Sequence, residues 1–384
     1  MPNWFTRLGA VISAAERKSG GPQSLMTVTQ LGEASWSRRG FVSLANAGYA
    51  RNPVVHRCVR MIAEAATRVP LVAEEGGRRL SEHPVVRLLA RPNARQSGSE
   101  LLEAVYAYLQ TAGNAYVAAT LIEGEVRELH VLRPDRVRAV IGRDGYPAAY
   151  AYTVGGRTVE LKLDSKPVAG LLHLALFHPL DDHYGMAPLE AAAQSLDIHN
   201  AAAEWNKALL DNAARPSGAL VYSGGSGTLT EAQFRRLKEE LEQGFSGARN
   251  AGRPLVLEGG LDWKAMALTP AEMDFMELKH AAAREIALAF GVPPMLLGIP
   301  GDNTYANYAE ANRAFWRSTV IPLVRRVADD LSFWLAPGFG GVTLAPDVDG
   351  VEALAEDRAA LWARVGGAEF LTDAEKREML GVGA

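Results

Sequence analysis

Between Thr269 and Pro294 the chain marks both ends of a helix. Thr269 is placed to cap it, Pro270 falls in the first turn, where its missing N–H is no loss, and Glu272 closes a capping box. Gly291 suits the position just past the last turn, and Pro293-Pro294 forbid continuation. The spacing predicts a helix from Thr269 to Phe290 and a loop from Met295 to Thr304. A second helix is expected from about Tyr305 to Trp334. Pro322 lies inside that second helix and is expected to kink it, at about 3 kcal/mol unless packing compensates. The segment Thr269 to Trp316 is therefore the expected working part of the chain.

The surroundings of this segment change period several times. Residues 1–50 are weakly patterned, with Gly20-Gly21-Pro22, and read as an arm or loose lead-in. After Asn52-Pro53, the residues Val55, Cys58, Ile62 and Ala66 recur at helical spacing, and Pro70 lies beyond the end. Ser97 and Glu100 form a capping box for a helix running toward Gly113. Between 114 and 178 the period shortens. Ala115 to Thr120, Val137 to Ile141, Ala149 to Val154 and Leu171 to Phe177 read as strands, with turns at Asp144-Gly145 and Gly155-Gly156. A long alanine-rich helix is expected from Pro188 to about Ala213, with Leu189, Ala192, Ala193 and Leu196 on one face. Then come a strand at Ala219 to Tyr222, a helix opened by Thr230 and Gln233, and strands at Pro254 to Leu257 and Trp263 to Leu268. This makes a compact α/β insert between two long helices. The tail holds helical stretches over about Val351 to Val365 and from Thr372, with Glu375 as its capping partner.

Composition narrows the function. With 384 residues, two or three folded units are expected at about 100–200 residues each. The net charge of −4 lacks the basic surplus of a protein that grips DNA backbone over a large area. A single cysteine, Cys58, at an apolar helical position, reads as core and cannot form an internal disulfide, which points to a reducing cytoplasm. No run reaches the ~18 apolar residues of a membrane helix. Leu8 to Ala15 is too short for a signal peptide and is followed by Glu16, Arg17 and Lys18.

Catalytic signatures are sparse. Ser223-Gly224-Gly225-Ser226-Gly227 lacks the Lys-Ser/Thr of a phosphate-binding loop and reads as a flexible loop. His178-Pro179-Leu180-Asp181-Asp182-His183-Tyr184 is the densest polar cluster. It could bind a divalent metal or serve as acid and base, but its spacing matches no metal signature, and a polar loop joining a strand to the helix at Pro188 is the simpler reading. No nucleophile elbow or His-Glu-x-x-His occurs. Arg57, Arg60 and Arg68 read as a solvated helix face, and Arg325-Arg326 with Asp329-Asp330 as local salt bridges.

Several stretches, in order, resemble the portal proteins of tailed double-stranded-DNA bacteriophages and of phage-like gene transfer agents. They are Asn52-Pro53-Val54-Val55, His83-Pro84-Val85-Val86-Arg87-Leu88-Leu89 leading to Arg91-Pro92-Asn93, Gly113-Asn114-Ala115-Tyr116, Leu132-Arg133-Pro134-Asp135 and Tyr184-Gly185-Met186-Ala187-Pro188-Leu189. Further on come Leu257-Glu258-Gly259-Gly260-Leu261-Asp262-Trp263, then Glu285-Ile286-Ala287 through Phe290-Gly291-Val292-Pro293-Pro294 to Leu297-Gly298, and the tail from Leu371 to Leu380. The resemblance covers roughly residues 50–384.

The resemblance implies an α+β portal fold, assembled as a ring, usually a dodecamer, at one capsid vertex. It divides the chain into an N-terminal arm (1–50), an α/β wing (51–186), a first stem helix (187–214), a small α/β clip (215–268), a second stem helix (269–292), a tunnel loop (293–305), a long kinked helix (306–337) and a C-terminal crown region (338–384). The implied subunit is not an enzyme and carries no cofactor or metal. Double-stranded DNA passes through its channel in packaging and ejection. Its implied partners are the major capsid protein, the large terminase and a head–tail adaptor or neck protein, in a virion or phage-like particle assembled in the bacterial cytoplasm, with no membrane. The tunnel loop would bring Asp302, Asn303, Thr304 and Tyr305 near DNA, although it lacks the lysine many portals place there. Gly259, Gly260 and Trp263 in the clip would dock the motor and later the neck. Two alternatives stand beside this expectation: a metal-dependent hydrolase centred on Asp181, Asp182 and His183, and an adaptor without a channel.

Overall fold

The computed structural model describes residues 40–381 except 77, 81, 212–217, 223–229, 233–234, 237–238, 240–260, 266–274 and 301–304, all within the unit Ser37–Ala384. Helix α1 (Phe41–Leu44) passes directly into a π turn (Ala45–Tyr49). Leu44 and Gly48 are buried, so residues 40–50, expected to be a loose lead-in, are folded against the following helix. Helix α2 (Pro53–Thr67) starts as expected. The Asn52 carboxamide oxygen accepts from Val54 N and Val55 N, and Val55, Cys58, Ile62 and Ala66 are buried. Arg57 and Arg60 share Glu64 on its solvent face.

Helix α3 (Pro84–Ala90) follows a hairpin of β1 (Leu71–Glu75) and β2 (Arg78–Leu80). Helix α4 (Gly98–Ala112) has both halves of its Ser97/Glu100 capping box and packs along α2. The period-two region then forms two antiparallel sheets. One is ordered β4-β3-β8, from β3 (Asn114–Ile122), β4 (Glu125–Leu132) and β8 (Leu171–Ala175). The other is ordered β5-β6-β7, from β5 (Val137–Ile141), β6 (Pro147–Val154) and β7 (Arg157–Lys162). Strands β4 and β7 exceed the sequence expectation. The β3–β4 turn places Glu123 at φ 54 and Gly124 at φ 79, and glutamate is an uncommon residue there, so the hairpin signal is hidden. A small core of Tyr116, Leu132, Val137, Tyr150 and Leu171 lies between the two sheets.

Helix α5 (Pro188–Ala191) and helix α6 (Ala193–Asp211) replace the single helix expected from Pro188, with a turn at Ala192 between them. Strand β9 (Gly218–Tyr222) pairs antiparallel with β10 (Leu261–Ala265). Between them residues 231, 232, 235, 236 and 239 are helical, with an Arg235–Glu231 pair one turn apart. The expected strand Pro254 to Leu257 and the glycine-rich run 223–227 lie outside the described residues.

Helix α7 (Phe275–Ala289) packs against α6, and its expected start at Thr269, Pro270 and Glu272 lies outside the described residues. Helix α8 (Tyr305–Phe315) continues through a π turn (Trp316–Val320) into α9 (Ile321–Leu335). The π turn answers the Pro322 problem. A wider turn just before the proline takes up the missing N–H and the ring's clash with the preceding turn. Pro322 then sits in the first turn of α9.

The expected Arg325-Arg326 to Asp329-Asp330 bridges do not form. Arg326 donates to the Ala175 carbonyl, and burial raises the Asp330 carboxyl pKa more than Arg326 lowers it. Strand β11 (Thr343–Pro346) pairs with β1 in the order β11-β1-β2, with Leu71 opposite Pro346, so the end of the fold closes on its beginning. Helices α10 (Ala355–Gly366) and α11 (Asp373–Met379) end the described chain, and the Thr372/Glu375 capping box is present. The α10 stretch expected from Val351 opens instead with a 3₁₀ turn, Glu352–Leu354.

Candidate functional site: the paired helices and the segment that follows

One apolar core runs from the α2–α4 layer into the paired helices. Val55 and Ile62 of α2, Leu109 of α4, Leu189 of α5, Leu196 of α6, Ile286 of α7 and Val324 and Leu331 of α9 belong to it. Packing of this kind sets distance but not register, because apolar contact is non-directional. Register comes from polar pins.

The first pin is Asn52, which is 1 % exposed. Its carboxamide oxygen caps α2. Its Nδ2 donates to His199 Nδ1 at 3.0 Å and to Asn200 Oδ1 at 2.9 Å, both on α6. Asn200 Nδ2 in turn donates to the Ala47 carbonyl at 3.0 Å. Since both capping N–H groups point at Oδ1, Nδ2 must face His199, and His199 Nδ1 must accept. The imidazole is held neutral there. Burial, aided by the Lys279 charge, lowers its pKa. Further along the pair, Ser195 on α6 donates to Glu285 on α7 at 2.6 Å.

The second pin sets the sheets where the chain turns toward α5. Asn114 Nδ2 donates to the carbonyls of Ala112 and Gly185, while its Oδ1 accepts from Gly185 N at 2.7 Å. With Oδ1 so oriented, His173 Nε2 is the donor in their 2.9 Å contact, and His173 Nδ1 accepts from the Tyr150 hydroxyl at 2.9 Å. His173 stacks on Tyr116, its cross-strand neighbour, with ring centres 4.4 Å apart. Burial pushes its pKa down to about 4. Gly113 and Gly185 let two backbones cross. A Cβ on Gly185 would stand 2.2 Å from the Gly113 carbonyl oxygen.

Beyond α7, Gly291 takes φ 65 as the expected end residue, and Thr319 in the π turn donates to its carbonyl at 2.6 Å. The expected loop from Met295 opens with a 3₁₀ turn, Pro294–Leu297, closed by Gly298 in the left-handed region. Arg284 on α7 donates to the Pro300 carbonyl. Of the tunnel-loop candidates, Asp302, Asn303 and Thr304 lie outside the described residues, and Tyr305 is the first residue of α8. Of the clip candidates, Gly259 and Gly260 lie outside them too, and Trp263 stands on β10 opposite Leu220.

The polar cluster before Pro188 is a set of local turns. Asp181 Oδ1 accepts from His183 N at 2.8 Å and Tyr184 N at 3.0 Å, and these bonds hold its carboxyl pKa below the ordinary value. His178 Nδ1 accepts from Leu180 N. Among the described residues, no group of three or more His, Cys, Asp or Glu is placed to hold a metal ion, and no helix is long and apolar enough to cross a membrane. Sequence reasoning misses the two histidine pins. His199 and His173 each stand alone in the sequence, and only partners brought close by the fold give them a role.

Comparison with known proteins places these features in a family context. The phage portal protein family model matches residues 53–381. A chain in the neck of an empty gene transfer agent (GTA) particle, computed with C6 symmetry, is 54% identical. The match covers 92% of this chain and 96% of that one, at TM-score 0.72. A chain in the neck of the native GTA particle, computed with C12 symmetry, is 53% identical over the same shares at TM-score 0.69. An uncharacterized protein of Rickettsia felis is 41% identical over 357 residues, 92% of each chain.

Proposed function

The chain belongs to the phage portal protein family and is a portal subunit, and we propose that its copies close into a twelve-membered ring at one capsid vertex of a phage-like particle, around a channel through which double-stranded DNA is packaged and ejected. The observation that carries this reading is the 53% identical match, over 92% of this chain, to a chain in the neck of the native GTA particle computed with C12 symmetry. On this reading residues 51–186 are the wing, and α5–α6 and α7 the two stem helices. The β9–β10 strand pair belongs to the clip that docks the terminase motor and then the neck. The segment from Pro293 is the tunnel loop, α8–α9 the long helix, and 338–384 the crown. The major capsid protein would surround the ring, and assembly would take place in the bacterial cytoplasm.

The portal family is a structural class, and we take the chain to be without catalytic activity of its own; the work of packaging comes from a separate motor. The net charge of −4 supports a channel that lets DNA slide. Duplex DNA carries one charge per ~1.7 Å, and a wall that neutralised many phosphates would bind it tightly. No observation favours the hydrolase alternative, since Asp181 is engaged in backbone turns. Electron microscopy of the purified assembly viewed down its axis tests the proposal. A closed ring of twelve with a central hole is expected, and a protein that stays monomeric at every concentration would overturn it.

A further inference from the structure

Resting on the ring reading, we infer that the loop Phe177–Tyr184 of each subunit plugs into an apolar groove of the next copy, formed by Leu288, Pro293, Pro294, Met295, Ala311 and Ala314. The loop is built to present rather than to bind. Its polar groups hold its own backbone, through Asp181 to His183 N and Tyr184 N and through His178 to Leu180 N. The Tyr184 hydroxyl fastens its end by accepting from Ala139 N. What this rigid turn displays is two apolar side chains, Phe177 at 80 % exposure and Leu180 at 91 %. Such a preordered pair loses little conformational freedom when it is buried by a partner.

The groove is two adjoining hollows of about 560 and 470 Å³ that share Arg284, Pro293, Pro294 and Ala314. Leu288 on its wall is 78 % exposed. Arg284 and Glu310 both line the groove, so its charge is balanced and the fit rests on apolar burial, with Asp181 and Asp182 beside the plug on the Arg284 side of the contact in this arrangement.

Symmetry supplies the remaining constraint. Ring contacts are head-to-tail, so a protrusion on one face must meet a recess on a different face of the next copy. Rotation about the ring axis also preserves height along it. Plug and groove satisfy the height condition, because both lie at the same end of the paired helices. The loop runs directly into α5, α5 packs against α7, and Leu189 shares a core with Ile286 and Phe290 at the end of α7. The groove begins at that end, with Leu288. Phe177 and Leu180 are too exposed to fill the groove of their own subunit.

The test is disulfide trapping in the assembled full-length chain. The only native cysteine, Cys58, is buried with its thiol pushed up to about 12, so the background is quiet. A chain carrying both Leu180→Cys and Leu288→Cys should give a covalent ladder on a denaturing gel after mild oxidation. Each single variant, and the pair Leu180→Cys with Phe370→Cys, should give monomer. In parallel, Leu180→Asp should raise the midpoint concentration for ring assembly by roughly thirtyfold or more, as for a hot-spot residue. Its melting temperature as a dissociated subunit should stay at the wild-type value. Intact rings without a ladder, or a ladder equally strong in the control pair, would overturn the plug. Absence of rings in the wild-type chain would instead overturn the ring reading on which the plug rests.

Discussion

Replacing Asn52 tests whether one polar pin, and not apolar packing alone, sets α6 against α2. In Asn52→Ala two losses add. The first is the cap on α2, worth about 1 kcal/mol. The second is the buried contact to α6: removing Nδ2 leaves His199 Nδ1 without its donor in a site that burial keeps neutral, at about 2 kcal/mol. Asn52→Ser separates the two, since serine still caps but does not reach His199. The expected losses are about 3 kcal/mol for alanine and about 2 kcal/mol for serine. At an unfolding entropy near 2.1 cal/mol/K per residue over roughly 340 residues, 3 kcal/mol lowers the melting midpoint by about 4 °C. Calorimetry at fixed subunit concentration reads this, because ring assembly itself shifts the midpoint. If serine restores the wild-type midpoint, the His199 contact contributes nothing. If both variants stay within about 1 °C of wild type, a quarter of the shift worked out above, packing alone orients α6.

Three further outcomes are expected. Both pinned histidines have folded pKa values below the ordinary ~6.5, His173 at about 4, so the unfolded chain takes up protons first as pH falls. Their stabilisation is complete above ~6.5 and is lost as pH drops below that value, for His173 down to about 4 with a slope near 1.4 kcal/mol per unit; a melting midpoint that is flat from pH 7 to 5 would contradict it. Gly185→Ala places a Cβ against three backbone atoms, the Gly113 carbonyl oxygen and the Leu176 N and O, and should cost about 3 kcal/mol or more. Gly124→Ala meets open space and should cost only the ~1–2 kcal/mol of its left-handed backbone, so equal soluble yields and midpoints for the two would refute the close crossing. If β10 belongs to the proposed clip, Trp263→Ala should leave rings intact and impair DNA filling or neck attachment in particles; particles that fill and join normally would refute the proposed docking role of Trp263.

Features carried by neighbours along the chain are legible in the sequence itself. The Ser97/Glu100 and Thr372/Glu375 boxes, Asn52-Pro53 and Gly291 act within one turn of helix, so their chemistry is written in adjacent letters. Strands are legible where β-branched or aromatic residues alternate, as in β3, β5 and β6. They are hidden where exposure removes the alternation. β7 (Arg157–Lys162) is almost wholly exposed, so solvent, not a core, faces most of its side chains and its composition follows no face. β11 is four residues long, too short to show a period, and exists because β1 lies ready to pair with it.

What adjacent letters do not carry is any pairing across the chain. Asn52 and His199 are 147 positions apart, and Asn114 and Gly185 are 71 apart. Each is ordinary in its own window, and each fixes a register that apolar burial leaves free. The polar cluster at Asp181 shows the reverse error. Carboxylates and imidazoles crowded in sequence look like chemistry, yet the geometry uses the Asp181 carboxylate and the His178 ring to hold backbone N–H groups within the same loop. Pro322 adds a third case. Read alone it predicts a break in the helix; in the fold the strain moves upstream into a π turn, where Thr319 meets Gly291 just past the end of α7. The irregular turn that the proline demands is thereby the point at which the α8–α9 helix is tied to the end of α7, so a local penalty and a long-range contact meet in the same five residues.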